Sequence, residues 1–334
     1  MAKKDLGVIQ ADKEFLKLEK HLNKIYKEAE IDVQHKMNVY FAKYQKKNDT
    51  WLAKLKAAEN TDDYPQLKKD YQKWLKGQVF QGKQWQYKRD SIANTLTHIN
   101  EVAINMVNEA IPNVFQINGN YAAYQMEHSA GVEFGFNLYD SATIKTLIAE
   151  DKDILPFKKL NKGKDLAWNF QNIKNEVAKG IIEGESIDKI SKRLSKVIPE
   201  RNKAMLRTHA RTMVTSAQNQ GRLTRFKEAE NKGIDLEKEW FCTLDGRTRD
   251  THRLLDRQRR PIDVPFEVEG FEIMYPADPH AHPSQTYNCR CTMNSYIKKY
   301  PPQYRTRSAR DSEGKSILIA DMSYNQWLQW KEAA

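Results

Sequence analysis

Proline placement is the strongest constraint on this chain. Pro65 is the only proline before Pro112, so almost nothing in the first 110 residues stops a helix. Apolar residues recur there at helical spacing: Phe15, Leu16, Leu18 and Leu22, then Ile25 and Tyr26, then Val39, Tyr40, Phe41 and Tyr44. Asn60 to Pro65 reads as a turn and a new helix start, with Asp63 as its cap. Tyr71, Trp74 and Leu75 continue the stripe. Between Ile92 and Ile111 only Glu101 and Glu109 are charged, which predicts the most buried helix of the first half.

The pattern then loosens. Pro112 predicts a stop and Gly119-Asn120 a turn, with helices over Ala123–Glu133 and from Asp140 onward. Gly163, among the lysines from Lys158 to Lys164, reads as a linker. Two helices follow over 166–198, broken at Glu183-Gly184-Glu185, the second capped by Ser186. Pro199 fits the first turn of a third, with Met205, Leu206, Val214 and Ala217 facing the core, ending near Asn231 before Gly233. Prolines 261, 265, 276, 279 and 283 then predict short strands and long loops. The strand candidates are 239–244, 261–268 and 271–276, the last two around Gly270. Ser323 is a cap for a last helix carrying Tyr324, Trp327 and Leu328. The expected fold class is α+β, mainly α. A long-helix region over 1–165 precedes a helical plus short-strand domain over 166–300, then a tail over 301–334 with a short helix.

Charge is distributed unevenly. The chain has 55 Lys and Arg against 44 Asp and Glu, net +11. Of 17 arginines, only Arg89 precedes Arg193; between 193 and 260 there are 17 basic and 9 acidic residues, net +8. Guanidinium is a planar fork suited to phosphate and carboxylate, whereas ammonium is a solvated point charge. The switch from Lys to Arg fits either a contact surface for an acidic partner or a set of internal ion pairs. If it is a surface, Arg201, Arg207, Arg211, Arg222, Arg225, Arg259 and Arg260 are the candidates for non-specific contact with double-stranded DNA. No apolar run is long enough to cross a membrane, and no membrane partner is expected. No apolar core follows Lys3-Lys4, so no secretory signal is expected. Three cysteines in 334 residues fit a reducing compartment rather than a disulfide scaffold.

Three motif pieces occur in order. The first runs from Ala210-Arg211-Thr212-Met213 through Asn219-Gln220-Gly221-Arg222. The second is Trp240-Phe241-Cys242-Thr243-Leu244-Asp245-Gly246-Arg247-Thr248-Arg249-Asp250-Thr251-His252. The third runs from Tyr275-Pro276-Ala277-Asp278-Pro279 through His280, His282 and Pro283 to Asn288-Cys289-Arg290-Cys291. Over about residues 166–300 they resemble the phage head morphogenesis family, phage Mu protein F-like minor head proteins of tailed phages. Met322 to Trp327 is also similar to the tails of Gram-positive phage members. The resemblance implies a virion protein made in the bacterial host cytoplasm and placed inside the capsid or at the portal vertex, with few copies. It implies the portal protein and capsid or scaffold proteins as partners, a role in head assembly, DNA packaging or DNA ejection, and no enzyme activity. The residues at the family's motif positions are Arg211, Thr212, Asn219, Asp245, Arg247, Arg249, His252, Asn288, Cys289, Arg290 and Cys291. Two departures stand out: Met213 replaces a common Glu, and Arg249 and His252 stand where many members carry a Cys pair.

Two chemical readings of these residues remain open. Cys289 and Cys291, two apart, share a side if extended. With Cys242 and His252 they have the donor types of a Cys₃His zinc site, with His280 and His282 as spares. The alternative is a cofactor-free polar lock, with His252 and Asp245 holding loops by hydrogen bonds. Two enzyme readings are weaker. One is a metal-dependent hydrolase or nuclease using Asp250, His252, His280 and His282, without a motif to support it. The other is an ADP-ribosyltransferase-like effector using the Glu-x-Glu of Glu267-Val268-Glu269.

Overall fold

The computed structural model describes residues 5–151, 153–155, 157–301, 306–310, 316–320, 322, 326 and 329. Three helices dominate: α1 (Leu6–Phe41), α4 (Lys83–Ala130) and α7 (Ile187–Asn231). Between them lie α2 (Gln45–Ala57), α3 (Tyr64–Trp74), α5 (Ser141–Glu150) and α6 (Lys162–Glu183). The mainly-α expectation holds, and so do several expected helix ends. Asp140 caps α5 by accepting from Thr143 N, Gly184 closes α6 with φ 71°, and Ser186 Oγ accepts from Lys189 N at the start of α7.

Two expected breaks are absent. Pro112 lies inside α4 and Pro199 inside α7. A mid-helix proline costs about 3 kcal/mol. Here the flanking turns are core: Ile111, Val114 and Phe115 around Pro112, and Leu194 and Ile198 before Pro199, are all almost fully buried. Burying such faces outweighs one missing hydrogen bond and the ring clash. Met205 is also a correction: it is 41% exposed, whereas Leu206, Val214 and Ala217 are buried as expected.

The chain forms two compact units that do not follow the expected division at 165/166. Long helices bring distant segments together, so each unit is assembled from separated stretches. One comprises 20–105 and 159–207 and is helical. Its apolar core gathers Val33, Met37, Tyr40, Tyr71, Trp74, Phe80, Trp85, Leu96, Ile173 and Leu194. A buried polar network crosses the same unit. Asn100 Nδ2 donates to Asp165 Oδ2 at 2.9 Å, Asn169 donates to Asp165 and Thr97, Asn202 donates to Asn169, and the Tyr26 hydroxyl donates to Asn100. Such a network favours one helix register, because any slip leaves buried amides unpaired.

The other unit comprises 1–19, 106–158 and 208–334, and holds all the described strands. β1 (Leu236–Phe241) is central in an antiparallel sheet, between β2 (Arg259–Arg260) and β5 (Thr292–Ile297). The short helix α8 (Asp250–Leu255) follows β1. β3 (Phe266–Val268) and β4 (Phe271–Ile273) form a hairpin whose two-residue turn is Glu269-Gly270, with φ 47° and 80°. Positive φ at both positions is the type I′ geometry that suits strand twist. The helical turn α9 (Pro283–Thr286) precedes β5. A second hairpin, β6 (Thr306–Arg310) with β7 (Ser316–Ala320), was not foreseen from the sequence. The last helix expected from Ser323 lies outside the described residues.

Gly119 and Gly221 explain why the expected turn in α4 is helix instead. A Cβ on Gly119 would lie 2.7 Å from the Tyr139 ring, and one on Gly221 would fall against the Phe115 carbonyl oxygen. These glycines let α4 and α7 cross at backbone contact; neither marks a turn.

Candidate functional site

The motif residues converge on the seam between α7 and the segment that runs from Pro276 through α9 into the start of β5. α7 presents a row of short polar side chains there. Thr212 Oγ1 accepts from Asn288 N at 3.0 Å, and Thr215 Oγ1 donates to Cys289 O at 2.9 Å. Asn219 Nδ2 donates to Pro276 O and Cys291 O, while its Oδ1 accepts from Met293 N. Gln218 donates to Thr292 Oγ1. Asn288 has φ 56°, the left-handed conformation that Asn tolerates better than most residues. An irregular loop has backbone groups without ladder partners, and the helix supplies them.

A second lock joins the β1–α8 loop to the same segment. The Arg290 guanidinium grips Asp245 with both ends of its fork, one bond at 2.8 Å, while Thr243 Oγ1 donates to Arg290 O at 2.7 Å. Burial pushes the Asp245 carboxyl up. Arg290, Arg247 N and Thr248 outweigh that and hold it below the ordinary aspartate range. Arg249 donates to Tyr287 O, and Thr251 Oγ1 donates to Gln285. Arg247 is exposed at the loop tip.

Inside this lock, His252 faces Cys289 and Cys291. Its Nδ1 lies 3.4 Å from Cys291 Sγ and 3.7 Å from Cys289 Sγ. All three side chains are buried, and their ligand atoms lie within 4.8 Å of one another. Cys242, the expected fourth donor, shares their apolar cluster but is not part of the ligand group. His252 therefore faces sulfur, while Asp245 holds its loop through Arg247 N, Thr248 and Arg290. Burial raises the Cys291 thiol well above its ordinary range, whereas in Cys289 hydrogen bonds from Cys291 outweigh burial and lower it.

Among the described residues, Asp250, His280 and His282 do not join His252 in a metal-ligand group. Asp250 is 90% exposed and pairs with Arg253. His280 pairs with Asp278, and His282 Nδ1 meets Ser284. Glu267 sits opposite Glu272 in the β3–β4 hairpin, and Glu269 is the first residue of its turn. The Glu-x-Glu thus spans β3 and the start of its turn.

The arginines divide sharply. Arg222 and Arg225 have side chains with 0% exposure and pair with Asp5 and Glu228. They are internal ion pairs, and the expectation that they contact phosphate is corrected. Arg211 lies at 2.8 Å from Asp12 with its guanidinium carbon 3.4 Å from the Phe15 ring centre, so it too faces inward. Arg201 and Arg259 keep about two-fifths of their side-chain surface while pairing with Glu176 and Glu239; Arg207 is exposed and Arg260 half-buried. Sequence reading also missed Lys238, buried in β1 with its Nζ donating to Met274 O at 2.9 Å.

Residues 171–294 match the family model described as phage Mu protein F like protein. Over 321 residues the chain is 25% identical to the Minor head protein GP7 of Bacillus phage SPP1, covering 95% of this chain and 93% of that protein. The chain therefore carries a segment similar to phage Mu protein F and is similar along nearly its whole length to a phage minor head protein. The seam and the Asp245–Arg290 lock both lie within the Mu F-like segment. The chain is also 30% identical over 157 residues to an NAD(+)--arginine ADP-ribosyltransferase, EFV, of Enterococcus faecalis. That similarity covers 47% of this chain and 31% of the enzyme, so the chain spans less than a third of that relative. No solved structure matches. No helix among the described residues is long and apolar enough to cross a membrane.

Proposed function

We propose that this protein is a structural component of the phage head, seated with the portal at one capsid vertex. It is present there in few copies and acts in head assembly and in DNA packaging or ejection. The observation that carries this reading is lengthwise: the similarity to a minor head protein extends over nearly all of both chains, well beyond the Mu F-like segment. The polar seam supports a structural role, since its side chains are spent on backbone groups and none is left poised for chemistry.

The helical unit is the portal-contacting part in this account, with capsid or scaffold proteins as further neighbours. It has an open cleft lined by Val39, Tyr40, Lys43, Lys83, Gln84, Tyr87 and Lys88, and Val39 and Tyr87 are strongly exposed. Aromatic and aliphatic surface rimmed by polar groups is what protein interfaces use. Double-stranded DNA is met non-specifically, through Arg207, Arg201, Arg259 and Arg260. Arg211, Arg222 and Arg225 serve the fold.

The test is quantitative mass spectrometry of purified, nuclease-treated particles, with the portal protein as the internal standard. A few copies per particle, fewer than the portal, is the expected result. Absence from mature particles would overturn the virion assignment.

A further inference from the structure

The Mu F-like segment contains one cluster that its locking role leaves unused. We infer that His252, Cys289 and Cys291 form a metal site for a zinc-class divalent ion, with three protein ligands and the fourth position filled by a non-protein donor. This does not depend on the role in the phage head.

The nitrogen–sulfur distances fit an ion. With Zn–S of about 2.3 Å and Zn–N of about 2.0–2.1 Å, a tetrahedral ion separates a ligating nitrogen and sulfur by about 3.6 Å. The two observed separations, 3.4 and 3.7 Å, bracket that value. Both sulfurs converge on one imidazole nitrogen. A neutral imidazole has one lone pair in its ring plane, enough for one good acceptor interaction but not two. The opposite nitrogen, Nε2, is buried and has no hydrogen-bond partner among the described residues. The tautomer protonated on Nε2 is the one that ligates a metal through Nδ1, the nitrogen that faces both sulfurs.

The scaffold holds the donors without the metal. Thr215 fixes the Cys289 carbonyl and Asn219 the Cys291 carbonyl, while Arg290 between them turns outward to Asp245. This alternation puts both thiols on one side. The His252 ring packs edge-on against Trp240, with centroids 5.3 Å apart. Soft sulfur with one imidazole favours zinc over magnesium or calcium, which take oxygen ligands. On binding, each thiol loses its proton to solvent and each sulfur donates a pair to the ion. Two thiolates then neutralise the divalent charge inside an apolar cluster. The ion would tie α8 to the segment entering β5, giving a small-stranded module a clamp that its limited core does not supply.

The test uses the full-length protein, kept reduced and dialysed against Zn²⁺ or Co²⁺ and then against metal-free buffer. About one ion per chain is expected to remain, and the cobalt form should show thiolate-to-cobalt charge-transfer bands with intense tetrahedral d–d absorption. Cys289→Ser, Cys291→Ser and His252→Gln should each lose the ion, and Cys242→Ser should keep it. Should the ligand variants fail to fold, X-ray absorption at the zinc edge of the wild type decides: two sulfurs and one imidazole are expected. Metal well below one ion per chain in folded, reduced wild-type protein would overturn the site. So would loss of metal in Cys242→Ser, or a wild-type spectrum without two sulfurs.

Discussion

Arg222, on α7, and Asp5, just before α1, form a partly buried ion pair: Arg222 Nη2 lies 2.7 and 2.9 Å from the two carboxylate oxygens. The Arg222 side chain has no exposed surface, and its Nη1 also donates to Met293 O and Asn294 Oδ1. One guanidinium thus joins the chain's beginning, a long helix and the central sheet. Replacing Arg222 with Met is expected to destabilise the unit by about 3–5 kcal/mol, because the carboxylate and two acceptors are left without their donor. Chemical denaturation measures this. A loss below about 1 kcal/mol would show the pair to be dispensable.

Gly221 gives an opposite sign to the usual helix rule. Helix propensity alone favours Ala over Gly by about 1 kcal/mol. At Gly221 a Cβ would meet the Phe115 carbonyl oxygen, part of a backbone that cannot swing aside. Gly221→Ala should therefore lower stability by about 1–3 kcal/mol. Gly77→Ala, with open space around the Cβ, should be neutral or stabilising. Equal effects at both sites would contradict the close crossing of α4 and α7.

The division between buried and exposed arginines makes the DNA contact testable. Each phosphate contact contributes about −0.9 to the slope of log affinity against log salt. Arg207→Gln with Arg260→Gln should flatten that slope measurably. A wild-type affinity that ignores salt would remove DNA from the account.

Lys238 gives the protein a pH signature. Burial, with Lys227 nearby, pushes its ammonium down to about 7, against the opposing pull of Asp263 and Asp278. Between about pH 7 and 10.5 the unfolded chain holds a proton that the folded one has released, so stability rises with pH across that window. The slope from this residue is at most about 1.4 kcal/mol per pH unit. Below pH 7 both states are protonated and the contribution is flat. Denaturation at pH 7 and pH 9 should show the rise in the wild type and its loss in Lys238→Met. The same slope in both proteins would place the proton elsewhere.

Much of the helical layout was legible because it is local. Gly184, Ser186 and Gly233 act through their own dihedrals and caps, and the Glu269-Gly270 turn declares itself by residue type. What was not legible depends on partners far along the chain. Pro112 and Pro199 read as breaks because their cost is local and the offsetting burial is not. Arg222 looks like any surface arginine until Asp5, 217 positions earlier, closes on it. The candidate metal cluster was half visible. The C-x-C spacing and His252 were readable, but Cys242 was misplaced because its type fits while its position at the end of β1 does not.

Portal association is the central claim, and crosslinking inside intact particles tests it most directly. Virions treated with an amine-reactive crosslinker and analysed by mass spectrometry should yield links from Lys43, Lys83 and Lys88, around the cleft of the helical unit, to the portal protein. Tyr87→Glu should reduce both those links and the amount incorporated. Links confined to the major capsid protein, with none to the portal, would contradict the account.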